Sequence, residues 1–229
     1  MAKNKSFTMP RPDQRVLILG STGSGKTTVG AWLLSEANFD EMPWVMIDYK
    51  RDSLLNAIDR RRQIGLNDIP KEPGLYHLKP NPVSDDERVE GWLLRCWEKR
   101  NIGLYVDEAL RLPTSRKTGA FETILTQGRS LHIPVIALSQ RPVDLTRYAF
   151  SEANHVVVMR LTDLRDRKKV TEYVPNVGHD YELEQYHSIW YSVDKNAKYD
   201  MKPVPDGSAI LTVFDERLKA LQNVKRRLI

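Results

Sequence analysis

Short apolar runs alternate with amphipathic segments along most of the chain. The apolar runs lie at residues 15–19, 44–48, 74–78, 102–106 and 135–139, with another inside 153–161. Several of them end in glycine or in charged and polar residues, a pattern that is typical of buried strands in a parallel sheet. Strands that alternate with helices predict an α/β fold, with a mostly parallel central sheet and helices on both faces.

Amphipathic segments predict the helices and the organisation of the C-terminal part. The clearest helix is 85–99, where apolar residues recur at helical spacing: Val89, Trp92, Leu93, Cys96 and Trp97. Further helices are predicted from about residue 25 and at 53–63, 120–131 and 163–173. The segment 188–204 predicts a hairpin that turns at 194–198, and 215–229 predicts a basic amphipathic helix.

The length and composition are those of one globular domain. The chain has 229 residues, of which 41% are apolar and 28% are charged, which is ordinary for such a domain. We divide it into an N-terminal arm at 1–14, one domain at 15–214 that includes the hairpin, and a basic C-terminal helix or tail at 215–229.

Composition also excludes some classes of protein and of site. No run approaches the ~20 apolar residues of a membrane span, and residues 1–14 lack the apolar core of a signal peptide, so we expect a cytosolic protein without an integral membrane segment. The single cysteine, Cys96, excludes an internal disulfide and a cysteine-clustered zinc site, and its helical pattern predicts a buried small side chain. The net charge of +5 is compatible with a polyanionic partner but does not require one.

The strongest motif follows the first predicted strand and begins the first predicted helix. It fits the phosphate-loop pattern G-x-x-x-x-G-K-[ST] in full, with Gly20, Ser21, Thr22, Gly23, Ser24, Gly25, Lys26 and Thr27. Glycines let the backbone N–H groups turn inward towards phosphate oxygens, and the helix N-terminus adds its positive end. We expect Lys26 to bind the β- and γ-phosphates, the Thr27 hydroxyl to bind Mg²⁺, and Thr28 to contact the α-phosphate.

Two further strands end in groups suited to hydrolysis. Asp107 and Glu108 close one apolar strand, and Gln140 follows another. In a parallel sheet these ends lie along one edge, where ligands bind. The predicted roles are a magnesium ligand through water for Asp107, a general base for Glu108, and a contact with the γ-phosphate or the attacking water for Gln140.

Together these residues resemble the additional-strand, catalytic-glutamate class of P-loop NTPases, which has a RecA-like fold. Within that class, the segments 48–50, 128–129, 139–142 and 153–154, with Arg160 on the strand that follows, resemble the FtsK–HerA superfamily of DNA-pumping ATPases. The resemblance covers roughly residues 16–169. A stand-alone domain of this size resembles most the genome-packaging ATPases of tailless, membrane-containing phages and related viruses.

The resemblance implies an ATP- and Mg²⁺-dependent motor that forms a hexameric or pentameric ring. In such a ring, an arginine of one subunit reaches the γ-phosphate bound by its neighbour, where it spreads the transition-state charge. Arg129 matches the family position best, and Arg160 is the second choice.

We expect the translocated substrate to be double-stranded DNA, bound mainly through its phosphates. The loop after Glu108 carries the candidate DNA contacts Arg111, Arg116 and Lys117, and the basic tail at 225–227 could instead bind DNA, a neighbouring subunit or a portal vertex of the capsid. We therefore expect a packaging translocase in the host cytoplasm or at a virion vertex. The alternatives are a conjugation or secretion motor, a filamentous-phage-like assembly ATPase, and a non-hydrolysing nucleotide switch.

Overall fold

The fold is built around one mixed β-sheet. The computed structural model describes residues 9–112, 119–175, 177–178 and 181–227, and within them the sheet has nine strands in the order β3-β4-β2-β5-β6-β1-β7-β8-β9. The strands from β3 to β7 in this order are parallel, whereas β8 and β9 are antiparallel to their neighbours. The strands are β1 (Val16–Leu19), β2 (Pro43–Asp48), β3 (Arg62–Ile64), β4 (Gly74–Leu78), β5 (Gly103–Asp107), β6 (Val135–Ser139), β7 (His155–Val158), β8 (Ser188–Ser192) and β9 (Ala197–Met201).

Helices cover both faces of the sheet, as the alternating pattern predicts. One face packs against α3 to α6 through buried side chains such as Trp92, Ile124 and Phe150. The other face packs against α1 and α7, with Leu34 and Phe214 among its buried residues. The helices are α1 (Lys26–Ser35), α2 (Ser53–Ala57), α3 (Asp86–Lys99), α4 (Ala120–Gln127), α5 (Arg147–Ser151), α6 (Leu164–Thr171) and α7 (Gly207–Arg227).

Strand register places the polar ends of several strands side by side. Leu19 at the end of β1 pairs with Ser139 at the end of β6, and Asp48 at the end of β2 pairs with Asp107 at the end of β5. Every residue of β1, β2, β5 and β6 is buried, which explains their continuous apolar sequence. The predicted parallel sheet is confirmed, and its carboxyl edge gathers the candidate site.

The helix predicted at 53–63 is wrong beyond Ala57. Asp52 caps α2 by accepting hydrogen bonds from the backbone N–H groups of Leu54 and Leu55. The backbone becomes extended at Ile58, which is fully buried, and the chain then forms the short edge strand β3. Burial of Ile58 and pairing with β4 therefore override the helical charge pattern.

The C-terminal helix begins at Gly207, eight residues before the predicted start, so the proposed boundary at residue 215 falls inside α7. Asp206 caps it, because its Oδ1 accepts hydrogen bonds from the N–H groups of Ser208 and Ala209. Phe214 packs on Phe39 with ring centroids 6.1 Å apart. The first half of the helix is therefore part of the core. The predicted hairpin is present as β8 and β9.

Candidate nucleotide-binding site

The phosphate loop spans the gap between β1 and α1. Gly23 and Gly25 adopt positive φ angles of 76° and 96°, which favour glycine and let the loop turn back on itself. The N–H of Gly20 donates to the carbonyl of Ser139 at 3.2 Å, and that of Ser21 donates to the carbonyl of Arg160 at 2.9 Å. Backbone bonds to the ends of β6 and β7 thus hold the loop on both sides.

Lys26 lies inside this loop. Its side chain is buried, and Nζ donates to the carbonyl oxygen of Ser21 at 3.0 Å. The pKa of Lys26 is lowered to about 8, chiefly by burial and also by the nearby Lys50, while Glu108 and Asp107 oppose the shift. A bound phosphate would supply the negative charge that this buried ammonium lacks.

Thr27 and Asp107 form the candidate magnesium site. Thr27 Oγ1 donates to Asp107 Oδ1 at 3.3 Å, while Asp107 Oδ2 is buried with no hydrogen-bond partner among the described residues. Burial raises the pKa of Asp107 to about 6, a shift that Lys50 opposes and the carboxylates of Asp48, Asp52 and Glu108 reinforce. An unpaired buried carboxylate oxygen beside a threonine hydroxyl fits a hard divalent cation, which favours oxygen ligands.

Glu108 is held in a fixed orientation next to them. Its backbone has a positive φ of 96°, and its side chain is 1% exposed. One carboxylate oxygen accepts hydrogen bonds of 3.3 Å from Ser139 Oγ and from the Gln140 N–H. A strained residue that the surrounding bonds hold in place is typical of functional sites, and the geometry agrees with the predicted general base.

Lys50 is a site residue that the sequence prediction did not assign. Its Nζ lies 2.6 Å from Glu108 Oε2, in the short segment between β2 and α2. A signal was available, because a lysine two residues past β2 must lie near the end of a neighbouring parallel strand. This ion pair places a positive charge next to the candidate general base.

A buried hydrogen-bond chain supports the segment that carries Lys50. Asp48 Oδ2 contacts His77 Nε2 at 3.0 Å, and Arg61 Nε donates to His77 Nδ1 at 2.8 Å. Since Nδ1 accepts from Arg61, we assign the neutral tautomer in which Nε2 donates to Asp48. The other Asp48 oxygen accepts from the Asp52 N–H at 3.2 Å, which fixes the turn around Lys50.

Gln140 reaches the phosphate loop, and its predicted contact with the γ-phosphate or the attacking water stays a prediction. Its Oε1 accepts a hydrogen bond from Thr22 Oγ1 at 2.7 Å, while its N–H donates to Glu108. Gln140 therefore connects the loop to the candidate general base. The structure brings together Thr22, Lys26, Thr27, Asp107 and Glu108 around it.

The two candidate arginines lie in different places. Arg129 is exposed after α4, near the amino ends of the parallel strands and away from the phosphate loop of its own chain. It adds to the lowering of the pKa of Arg15, which burial chiefly causes and Glu152 opposes. Arg160 is exposed beside the loop of its own chain, where its carbonyl oxygen binds Ser21.

The candidate DNA contacts are only partly described. Arg111 is exposed at the end of a 3₁₀ turn, Ala109–Arg111, that follows Glu108 directly. Arg116 and Lys117 lie outside the described residues.

Comparison with known proteins identifies the family. No protein-family model matches the chain. The chain is 40% identical over 228 residues to the DNA packaging ATPase P9 of Enterobacteria phage PRD1, and the match covers 96% of this chain and 100% of the relative. The chain belongs to the family of this packaging ATPase. The predicted viral packaging lineage and the P-loop ATPase activity are thereby confirmed.

Solved structures agree with the fold of this packaging-ATPase family. The genome packaging NTPase B204 of Sulfolobus turreted icosahedral virus 2, in complex with sulfate, superposes with a TM-score of 0.69 at 18% identity, over 86% of this chain and all of the other. Its AMPPCP complex gives a TM-score of 0.66. EssC from Geobacillus thermodenitrificans gives 0.63 at 16% identity, over 95% of this chain and 45% of the other. These likenesses confirm the P-loop NTPase fold. None of the helices in the described part has the length and apolar character needed to cross a bilayer.

Proposed function

We propose that this chain is an ATP-hydrolysing motor that moves double-stranded DNA into a preformed viral capsid. The observation that carries the proposal is the 40% identity to a phage DNA packaging ATPase over nearly the whole chain. The site geometry supports it, because a phosphate loop, the candidate magnesium ligands Thr27 and Asp107 and a buried glutamate meet at one sheet edge.

Each residue of the candidate site has a distinct proposed role in ATP hydrolysis. The loop from Gly20 to Thr28 binds the phosphates, and Lys26 neutralises charge on the β- and γ-phosphates. Thr27 and Asp107 would hold Mg²⁺, which supplies Lewis-acid stabilisation of the phosphate oxygens when bound. Glu108 accepts a proton from the attacking water, which Gln140 helps to place near Thr22.

Lys50 orients this general base. Its ammonium lies 2.6 Å from Glu108 Oε2 and gives the carboxylate a charged partner on the side opposite its bonds to Ser139 and Gln140 through Oε1.

We further propose that the active assembly is a ring, pentameric or hexameric, in which Arg129 acts on the neighbouring subunit. Arg129 is exposed and lies away from the phosphate loop of its own chain, so a contact with γ-phosphate would have to be made across a subunit interface. Such an arginine contributes about 10³- to 10⁵-fold to turnover. Arg160, beside its own loop, is the second candidate.

A mixing experiment tests this arrangement. Lys26→Ala and Arg129→Ala proteins should each be inactive alone but should recover ATP turnover when mixed in one ring. In mixed rings, an intact Lys26 in one subunit faces an intact Arg129 in the next. If mixing recovers no turnover although mixed rings assemble, Arg129 does not act in trans.

DNA would pass next to the turn that follows Glu108. Arg111 is exposed there, only three residues from the candidate general base, and Arg116 and Lys117 follow in sequence. Phosphate contacts from this loop would couple DNA position to Glu108. The docking partner would be a capsid or portal vertex, and the site of action the host cytoplasm or that vertex.

The direct test is ATP turnover by the assembled protein with and without duplex DNA at low salt. We expect stimulation by duplex of any sequence, and a reduction of that stimulation in Arg111→Ala but not in Lys219→Ala, an exposed cation on α7. The same turnover with and without duplex in an assembled ring would contradict translocation, whereas no turnover under either condition would favour a non-hydrolysing nucleotide switch.

A further inference from the structure

A cavity opens beside the first turn of α1, next to the phosphate loop. Its volume is about 340 Å³, within the range of pockets that enclose small ligands. Gly25, Thr28 and Val29 form its floor, while Tyr186 and the segment 203–207 form its walls. No residue of the hydrolytic set described above, other than the loop itself, lines it.

Tyr186 is the aromatic wall of this cavity. Its ring packs directly on Gly25, where a Cβ atom would come within 2.9 Å of Tyr186 Cδ1. The side chain is 50% exposed, and the backbone has a positive φ of 66°. The exposed part of the ring is accessible to a ligand, and a positive φ at a non-glycine residue is a strained conformation of the kind found at ligand-binding sites.

The rest of the lining is mostly apolar. Pro203, Val204 and Pro205 lie between β9 and α7, and the buried Met159 also lines the cavity. Asp206 anchors this segment by capping α7, which is itself packed in the core through Phe214. The cavity is therefore formed before any ligand binds, which lowers the entropic cost of binding.

The position of Thr28 indicates what the cavity holds. The helix N-terminus and Lys26 fix the terminal phosphates, and Thr28 is the loop residue assigned to the α-phosphate. The nucleoside must leave the loop next to Thr28, and this is the residue through which the cavity joins the phosphate site.

We propose that the cavity binds the purine base of the nucleoside triphosphate, with Tyr186 stacking on the base as the residue that favours purines over pyrimidines. This rests on nucleotide binding at the phosphate loop, part of the proposed function, and adds the base-binding subsite. Stacking on an aromatic side chain depends on overlapping ring area, which is larger for a purine. Removing such a ring costs about tenfold in affinity per base.

Binding measured without DNA tests this subsite. The probes are ATP, CTP and inorganic tripolyphosphate, each with Mg²⁺ and titrated by calorimetry. Tyr186→Ala should weaken ATP binding about tenfold, reduce the preference for ATP over CTP, and leave tripolyphosphate binding unchanged. Tyr186→Phe keeps the ring and should retain the wild-type preference. Val83→Ala is the control, because Val83 is 89% exposed and does not line the cavity.

A second variant fills the cavity from the opposite wall. Val204→Trp should weaken binding of ATP but not of tripolyphosphate, because only the base would meet the indole. Equal losses for ATP and tripolyphosphate in Tyr186→Ala would overturn the proposal and show that Tyr186 acts only through Gly25 and the loop. An unchanged ATP-to-CTP ratio in both variants would also overturn it.

These outcomes are separate from those that test DNA translocation. A protein that binds ATP through Tyr186 but shows no stimulation by duplex DNA would contradict the motor and leave the base subsite intact. Absence of tripolyphosphate binding by the wild type would instead contradict the phosphate site itself.

Discussion

Replacing Asp107 by asparagine should make the metal-free protein more stable at neutral pH while removing its activity. Asp107 is 1% exposed, and its Oδ2 has no hydrogen-bond partner in the described part of the chain. Because burial raises its pKa from 3.8 to about 6, the folded protein holds the ionised carboxylate at a cost. Asparagine has nearly the same shape and keeps an oxygen to accept from Thr27, but carries no charge.

The magnitude follows from the two pKa values. One pH unit corresponds to about 1.4 kcal/mol, so the difference between 3.8 and about 6 costs the wild type about 3 kcal/mol above pH 6. The group is protonated in both states below its unfolded pKa, and there the cost vanishes. The protonated carboxyl therefore makes the folded wild type more stable at low pH, and this contribution is lost as the pH rises through about 6. The asparagine amide would lack an acceptor, which reduces the net gain at neutral pH to about 1–2 kcal/mol.

The assay is urea unfolding of chelator-treated protein between pH 5 and 7.5. The stability advantage of Asp107→Asn should be about 1.4 kcal/mol smaller at pH 5 than at pH 7.5. Asp200→Asn, an exposed carboxyl in β9, is the control and should show no such trend. Two results would refute the claim that the ionised Asp107 destabilises the metal-free fold. One is a stability difference between variant and wild type that does not change with pH, and the other is a variant less stable than the wild type at pH 7.5.

Three further predictions concern Lys50, Glu108 and α7. Lys50→Met removes a positive charge that lowers the pKa of Asp107, so the acidic limb of the kcat–pH profile should move to higher pH. Lys50→Arg keeps the charge and should stay near the wild type, and coincident profiles for wild type and Lys50→Met would rule out this role. Glu108→Gln should reduce single-turnover phosphate release by about 10²- to 10⁴-fold with ATP affinity retained, whereas near-normal turnover would mean that another group is the base. Phe214→Ala removes a fully buried ring stacked on Phe39, which should cost about 3–5 kcal/mol in urea unfolding, and a loss below 1 kcal/mol would show that α7 is not part of the core.

The sequence predicted the site well where chemistry is local in the chain. The phosphate loop occupies consecutive residues, and Asp107, Glu108 and Gln140 each follow an apolar strand. Because parallel strands end at one edge, their meeting point could be inferred without coordinates. The continuous apolar strands were predicted for the same reason, since burial on both faces leaves few alternatives.

The sequence predicted less where contacts join distant segments. The hydrogen-bond chain from Arg61 through His77 to Asp48 joins two strands and the segment between α2 and β3, and no spacing rule relates these positions. The early end of α2 depends on burial of Ile58 and on pairing of β3 with β4, which local charge periodicity does not report. The start of α7 was missed although Asp206 followed by glycine and serine is a recognisable cap.

Tyr186 could not be predicted as a site residue from the sequence. It belongs to a segment with no apolar periodicity, and only the structure shows that its ring packs against Gly25 of the phosphate loop.

The most direct test of the motor is displacement of a fluorescent third strand from duplex DNA by the assembled ring. ATP-dependent displacement from blunt linear duplex of unrelated sequences, absent in Glu108→Gln and with a non-hydrolysable analogue, is the result expected of a DNA-packaging translocase. A ring that binds duplex and hydrolyses ATP, yet leaves the third strand in place, would contradict the central claim.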